Sequence, residues 1–168
     1  VIDVASQLVE AFDATPLAKT GYYNTGWAYY ETERYEESIT AFQTLLERYP
    51  AGFEADRSMF QIGECYLKLE QYNEAIEVYS ELVRRQRIDE LTAADLDRIR
   101  KEKLAGLVDE TALELAAKAQ IRVGTCYARL GRHDEGVAAY RTVIDRFGTE
   151  RNLVEEAYLQ MAQLYDDG

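Results

Sequence analysis

Three stretches decide the fold: TGWAYYETERYEESITAFQTLLERYP over residues 25–50, IGECYLKLEQYNEAIEVYSELVRRQ over 62–86, and VGTCYARLGRHDEGVAAYRTVIDRFG over 123–148. Aligned on glycine, they repeat one pattern. Each glycine (Gly26, Gly63, Gly124) is followed three residues later by a tyrosine (Tyr29, Tyr66, Tyr127), then by a polar turn, then by a small residue (Ser38, Ala75, Gly136), and four residues on by a large aromatic (Phe42, Tyr79, Tyr140). Small residues let two helices approach closely, and aromatics at helical spacing fill the remaining volume, so each copy reads as an antiparallel helical hairpin. A hairpin of this size cannot bury its apolar face alone. Repetition at a steady period therefore predicts a stacked array.

Working outward, EEAYLQMAQLYDDG at 155–168 is a fourth, partial copy, with Ala162 at the glycine position and Tyr165 after it. The residues up to Pro16 read as the second helix of a preceding unit, and the opening on Val1 instead of Met reads as a processed or excised chain. Gly26 and Gly63 are 37 residues apart, but Gly63 and Gly124 are 61 apart, so about 24 residues lie beyond the period. Within them Thr92 is followed three residues later by Asp95, a helix-start signature, and a polar helical run continues to Gly106. One inserted helix is expected there. Helix A of the third unit is expected to begin early, near Asp109.

The composition narrows the function classes. The chain has 168 residues, 47% of them hydrophobic, with 19 Lys plus Arg against 31 Asp plus Glu and a net charge of −12. That charge opposes nucleic acid and anionic lipid, and no stretch approaches the ~20 consecutive apolar residues needed to span a bilayer.

These residues resemble the tetratricopeptide repeat (TPR), a 34-residue helical hairpin. The match takes in Tyr22, Gly26, Tyr29, Tyr35, Ser38, Phe42, Leu45 and Pro50 in one unit and Ile62, Gly63, Tyr66, Tyr72, Ala75, Tyr79 and Leu82 in the next. The resemblance implies an all-α, right-handed superhelical solenoid: one TPR domain over 1–168, with a partial repeat at 1–18, repeats at 19–52, 56–89 and 109–150, the inserted helix at 90–108, and a partial repeat at 155–168. The linker Tyr49-Pro50-Ala51-Gly52 is similar to the longer-turn TPRs of bacterial envelope proteins, which would imply a periplasmic setting; a cytoplasmic one stays open.

No reaction chemistry stands out. Cys65 and Cys126 occupy the same place in two repeats, two residues after the glycine, and read as small buried, reduced fillers. His133 takes the hairpin-turn position held by Tyr35 and Tyr72, where packing is its expected role. No phosphate loop, zinc spacing or calcium loop occurs, so no cofactor and no metal are expected. Glu31, Glu33, Glu36 and Glu37 read as a solvated edge at the inter-helix turn.

The TPR resemblance also implies that helix A of each unit lines a concave groove with its positions 2, 5, 6, 9, 12 and 13. Aromatics outside the packing signature then face it (Tyr23, Trp27, Tyr30 and Phe60), together with Gln61 and five cations: Arg57, Lys68, Lys118, Arg122 and Arg129. Lys118 and Arg122 match the third helix A of the carboxylate-clamp TPRs, and Gln61 stands where the clamp has Asn. Tyr23 and Trp27 depart from it. The expected function is a non-catalytic protein-interaction scaffold, probed by an acidic or carboxylate-bearing peptide whose apolar side chain docks on Trp27. Two alternatives remain: a recruiting arm of an enzyme whose catalytic domain lies outside this chain, and a self-association module using open repeat ends.

Overall fold

The computed structural model describes residues 16–87, 92–106, 111–148 and 150–166. Most of the partial repeat expected at 1–18, and the early start near Asp109, lie outside them. The fold is all-α: the described residues form eight helices and no strand. These are α1 (Pro16–Glu31), α2 (Tyr35–Arg48), α3 (Phe53–Lys68), α4 (Tyr72–Arg85), α5 (Ala93–Leu104), α6 (Ala112–Arg129), α7 (His133–Arg146) and α8 (Arg151–Asp166). They group into two compact units, residues 1–78 and 79–168.

In the first unit α1 and α2 run antiparallel. Near the turn Tyr30 meets Tyr35 edge-on, at mid-length Gly26 faces Phe42, and at the far end Tyr22 packs with Leu45 and Tyr49. The glycine is required by this contact, because a Cβ on Gly26 would sit 2.7 Å from the Phe42 ring. Helix α3 closes on α2 through Ile39, Phe42, Ile62 and Cys65. A buried chain of hydrogen bonds joins all three helices: the Cys65 thiol donates to Ser38 Oγ (3.3 Å), and the Ser38 hydroxyl donates to the Gly26 carbonyl (2.8 Å). Lys19 of α1 also pairs with Glu54 of α3 at 2.8 Å.

In the second unit α6 and α7 repeat the arrangement, with Gly124 under the Tyr140 ring, and α8 then packs on α7. Gly136 on α7 lies between the Gly124 carbonyl and the Leu164 side chain, so a Cβ there would strike Leu164 at 2.9 Å and crowd the carbonyl at 3.3 Å. The core is Leu113, Ala117, Ile121, Tyr140, Val143, Phe147, Ala157 and Leu164. Thr92 caps α5 in a reciprocal box with Asp95, and Thr111 caps α6 in the same way with Glu114. Glu114 also pairs with Lys103 of α5, which ties that polar helix to the start of α6.

The hairpin turns are shorter than the sequence reading put them. Tyr35, Tyr72 and His133 are the first residues of α2, α4 and α7 and not turn residues. Three residues suffice because the chain reverses through one left-handed residue at the same register in every copy: Glu33 (φ 59°), Glu70 (φ 58°) and Gly131 (φ 70°). The next residue then donates its N–H back to the carbonyl of the signature tyrosine, Arg34 to Tyr29, Gln71 to Tyr66 and Arg132 to Tyr127, which is the six-to-one bond of a helix C-terminal motif.

Two of the turns add a clasp. Arg34 lies 4.6 Å over the Tyr29 ring and pairs with Glu37, and Arg132 lies 4.6 Å over the Tyr127 ring and pairs with Glu135. The neighbouring guanidinium holds both carboxyls, Glu37 and Glu135, below the usual range. Of the acidic edge only Glu33 lies in the turn itself: Glu31 ends α1, and Glu36 and Glu37 belong to the first turn of α2, all four exposed.

Both cysteines are buried, and neither is in a disulfide. Burial pushes the Cys65 thiol up to about 11 from an ordinary value of 9.0, with Glu64 and Glu36 adding to the rise and the Ser38 hydrogen bond opposing it. Because folding favours the protonated thiol, its contribution to stability is complete below pH ~9 and is lost as the pH climbs through 9 toward 11. The denaturation midpoint of the wild type should therefore fall more steeply over that interval than that of Cys65→Ala. Alkylation of Cys65 at neutral pH should be slow until denaturant opens the unit.

Candidate functional site

The first unit presents an aromatic platform on the helix A side. Trp27 is 40% exposed and stacks on Tyr30, with ring centroids 5.6 Å apart and planes inclined by 23°. Tyr30 leans on Tyr35 beneath, and Tyr23 leans on Phe42 at 5.4 Å, so these two tyrosines lie half in the core and hold the platform in place. Burial, followed by Glu64, raises the Tyr30 phenol above its ordinary value, keeping it neutral. From α3, Arg57 lays its guanidinium 4.7 Å over the Tyr23 ring. The structure thus brings Tyr23, Trp27, Tyr30 and Arg57 together. Phe60 and Gln61 are half-buried on α3, and Lys68 is exposed at its last residue.

The second unit holds a small open pocket of about 110 Å³, formed by Lys118, Ile121 and Arg122 of α6 with Leu153 and Glu156 of α8. Ile121 is buried and supplies an apolar floor, Lys118 is exposed, and Arg122 is half-buried. Arg129 lies at the end of α6, outside this lining. Glu156 adds one carboxylate to the same lining, and both Glu156 and Arg122 act on the nearby Tyr140 phenol, which is raised mainly by burial.

Sequence reasoning missed Leu153 and Glu156. A signal was present: with Ala162 at the glycine position, Glu156 occupies position 2 of the fourth copy, the position of Lys118 in the third. Among the described residues no group of three His, Cys, Asp or Glu is placed to hold a metal ion, and no helix is long and apolar enough to cross a membrane.

Hairpins of this register, glycine against aromatic, define the helical-repeat class. The chain belongs to the tetratricopeptide repeat family, whose models match residues 20–51, 56–89 and 118–149. Among solved structures it is similar to the MamA RS-1 ArsTM double mutant, at 15% identity over 99% of this chain and 86% of that one, with a TM-score of 0.55. It is also similar to MamA 41-end from Desulfovibrio magneticus RS-1, at 16% identity over 88% of this chain and 74% of that one, with a TM-score of 0.52. At such identities the likeness is one of fold. No curated protein sequence matches the chain. As a member of this family the chain is of the protein-interaction scaffold type.

Proposed function

We propose that the chain is a non-catalytic interaction module that holds a segment of a partner protein on the helix A face of its second unit, with a carboxylate of that segment entering the Lys118–Arg122 pocket. The observation that carries this reading is the pocket itself: Lys118 and Arg122 line it together with the apolar Ile121 on a chain whose net charge is −12. Its size suits the end of one side chain or a chain terminus, and the Arg122 guanidinium can engage a carboxylate with two parallel hydrogen bonds. Glu156 narrows the choice by opposing a second negative charge in the same place. Trp27 provides an independent apolar anchor, of the residue type that most often dominates binding energy at interfaces.

Binding of the full chain to a displayed peptide library at low and physiological salt tests this. Peptides enriched for an acidic residue should weaken tenfold or more with Arg122→Glu, with a salt-dependent loss, and peptides enriched for an apolar anchor should weaken with Trp27→Ala, with little change in salt response. Enrichment that ignores both substitutions while the helical signal stays intact would refute the assignment.

A further inference from the structure

The chain shows four times over what rests on its aromatic rings. Arg34 lies over Tyr29, Arg48 over Tyr22, Arg57 over Tyr23 and Arg132 over Tyr127, each guanidinium between 4.6 and 5.3 Å from the ring centroid. In two of these a carboxylate also holds the guanidinium, Glu37 for Arg34 and Glu135 for Arg132. Ring, guanidinium and carboxylate thus form a recurring three-part contact. Among the described residues every ring used in this way is a tyrosine, although the face of an indole attracts a cation more strongly.

Trp27 has two of the three parts. It stacks on Tyr30 and is 40% exposed, and Glu31 follows it one turn later on the same face of α1, also exposed. The guanidinium is the missing part, and the last turn of α1 holds no basic residue to offset the negative end of the helix. Tyr30 packs on the core that α1 shares with α2 and α3, so the platform is completed by the helices that follow it. Besides burial, which acts most, Glu64 of α3 and Glu31 both raise the Tyr30 phenol, which sets two carboxylates within electrostatic reach of the ring pair.

We infer that Trp27 takes an arginine side chain of a partner protein, its guanidinium stacked on the indole and donating to the Glu31 carboxylate. This rests on Trp27 being the anchor named above and states what that anchor holds. The arginine stem supplies the apolar contact, and its head supplies a positive charge that a chain of net charge −12 attracts. Lysine suits the site less, because an ammonium is a point charge with no plane to lay on the ring.

The test selects displayed peptides on the full chain carrying Arg122→Glu, which disables the pocket, and keeps those whose binding is lost with Trp27→Ala. These peptides should share an arginine. Trp27 is the one tryptophan of the chain, so its fluorescence reports occupancy of the site directly. Replacing that arginine by citrulline or norleucine should weaken binding about tenfold, and Glu31→Gln should weaken the arginine peptide about threefold while leaving the norleucine peptide unchanged. Trp27→Leu keeps apolar surface without a ring face, and it should weaken binding as much as Trp27→Ala while the helical signal stays intact. Norleucine peptides that bind as tightly as arginine ones, full binding by Trp27→Leu, or indifference to Glu31→Gln would each overturn the inference and leave Trp27 a purely apolar anchor. Absence of any Trp27-dependent peptide would overturn the inference and the anchor together. The Lys118–Arg122 pocket is judged separately, by acidic peptides on the chain that keeps Arg122.

Discussion

Truncating Phe42 to alanine should cost about 3–5 kcal/mol and unfold most of the first unit, because the ring is fully buried between α1, α2 and α3. Part of that loss is the transfer of the ring to water and part is the cavity left over Gly26. The second part makes a sharper expectation possible. In the wild type, Gly26→Ala sets a methyl 2.7 Å from the ring and should destabilise; in the Phe42→Ala background the same methyl enters vacated space and adds helix propensity worth about 1 kcal/mol, so it should stabilise. The sign reverses between backgrounds. Urea unfolding of the two single variants and the double variant closes this cycle, and additive effects would show that the glycine–aromatic contact is not what fixes the approach of the helices.

Gly124→Ala should destabilise the second unit by about 1–3 kcal/mol, against a helix-propensity gain of about 1 kcal/mol that an ordinary site would show. The added Cβ would lie 2.5 Å from the Tyr140 ring. That ring has little room to retreat, since it is fully buried and its hydroxyl is held 3.3 Å from Thr125 Oγ1. Amide exchange should accelerate over α6, α7 and α8. A stabilised Gly124→Ala protein would mean that the ring swings aside and that packing here is looser than the contacts indicate.

The repeat was legible in the sequence because each hairpin needs the same three sizes at the same places: a glycine, a small residue and an aromatic. The capping box at Thr92 and Asp95 was legible for the same local reason. The candidate site was legible only in part. Trp27, Arg57, Lys118 and Arg122 could be picked from their register on helix A, but register says nothing of depth, and Tyr23 and Tyr30 proved to be half core. Glu156 belongs to a different helix, so its place beside Arg122 follows from how α8 packs and not from spacing along α6. The length of the turns was also hidden. Glutamate is a poor signal for a left-handed residue, and only the third copy, with Gly131, carries the residue usually found there.

That shared turn geometry makes the three reversals interchangeable parts. Since Glu33 and Glu70 hold the conformation that Gly131 holds without a side chain, the LGR turn of the third copy can be transplanted into the other two without altering a helix face. Exchanging those two glutamates alone for glycine would move the net charge from −12 to −10 while leaving Trp27 and the pocket untouched. The turns thus act as a separate electrostatic control: solubility and the long-range field can be tuned there independently of what the module recognises.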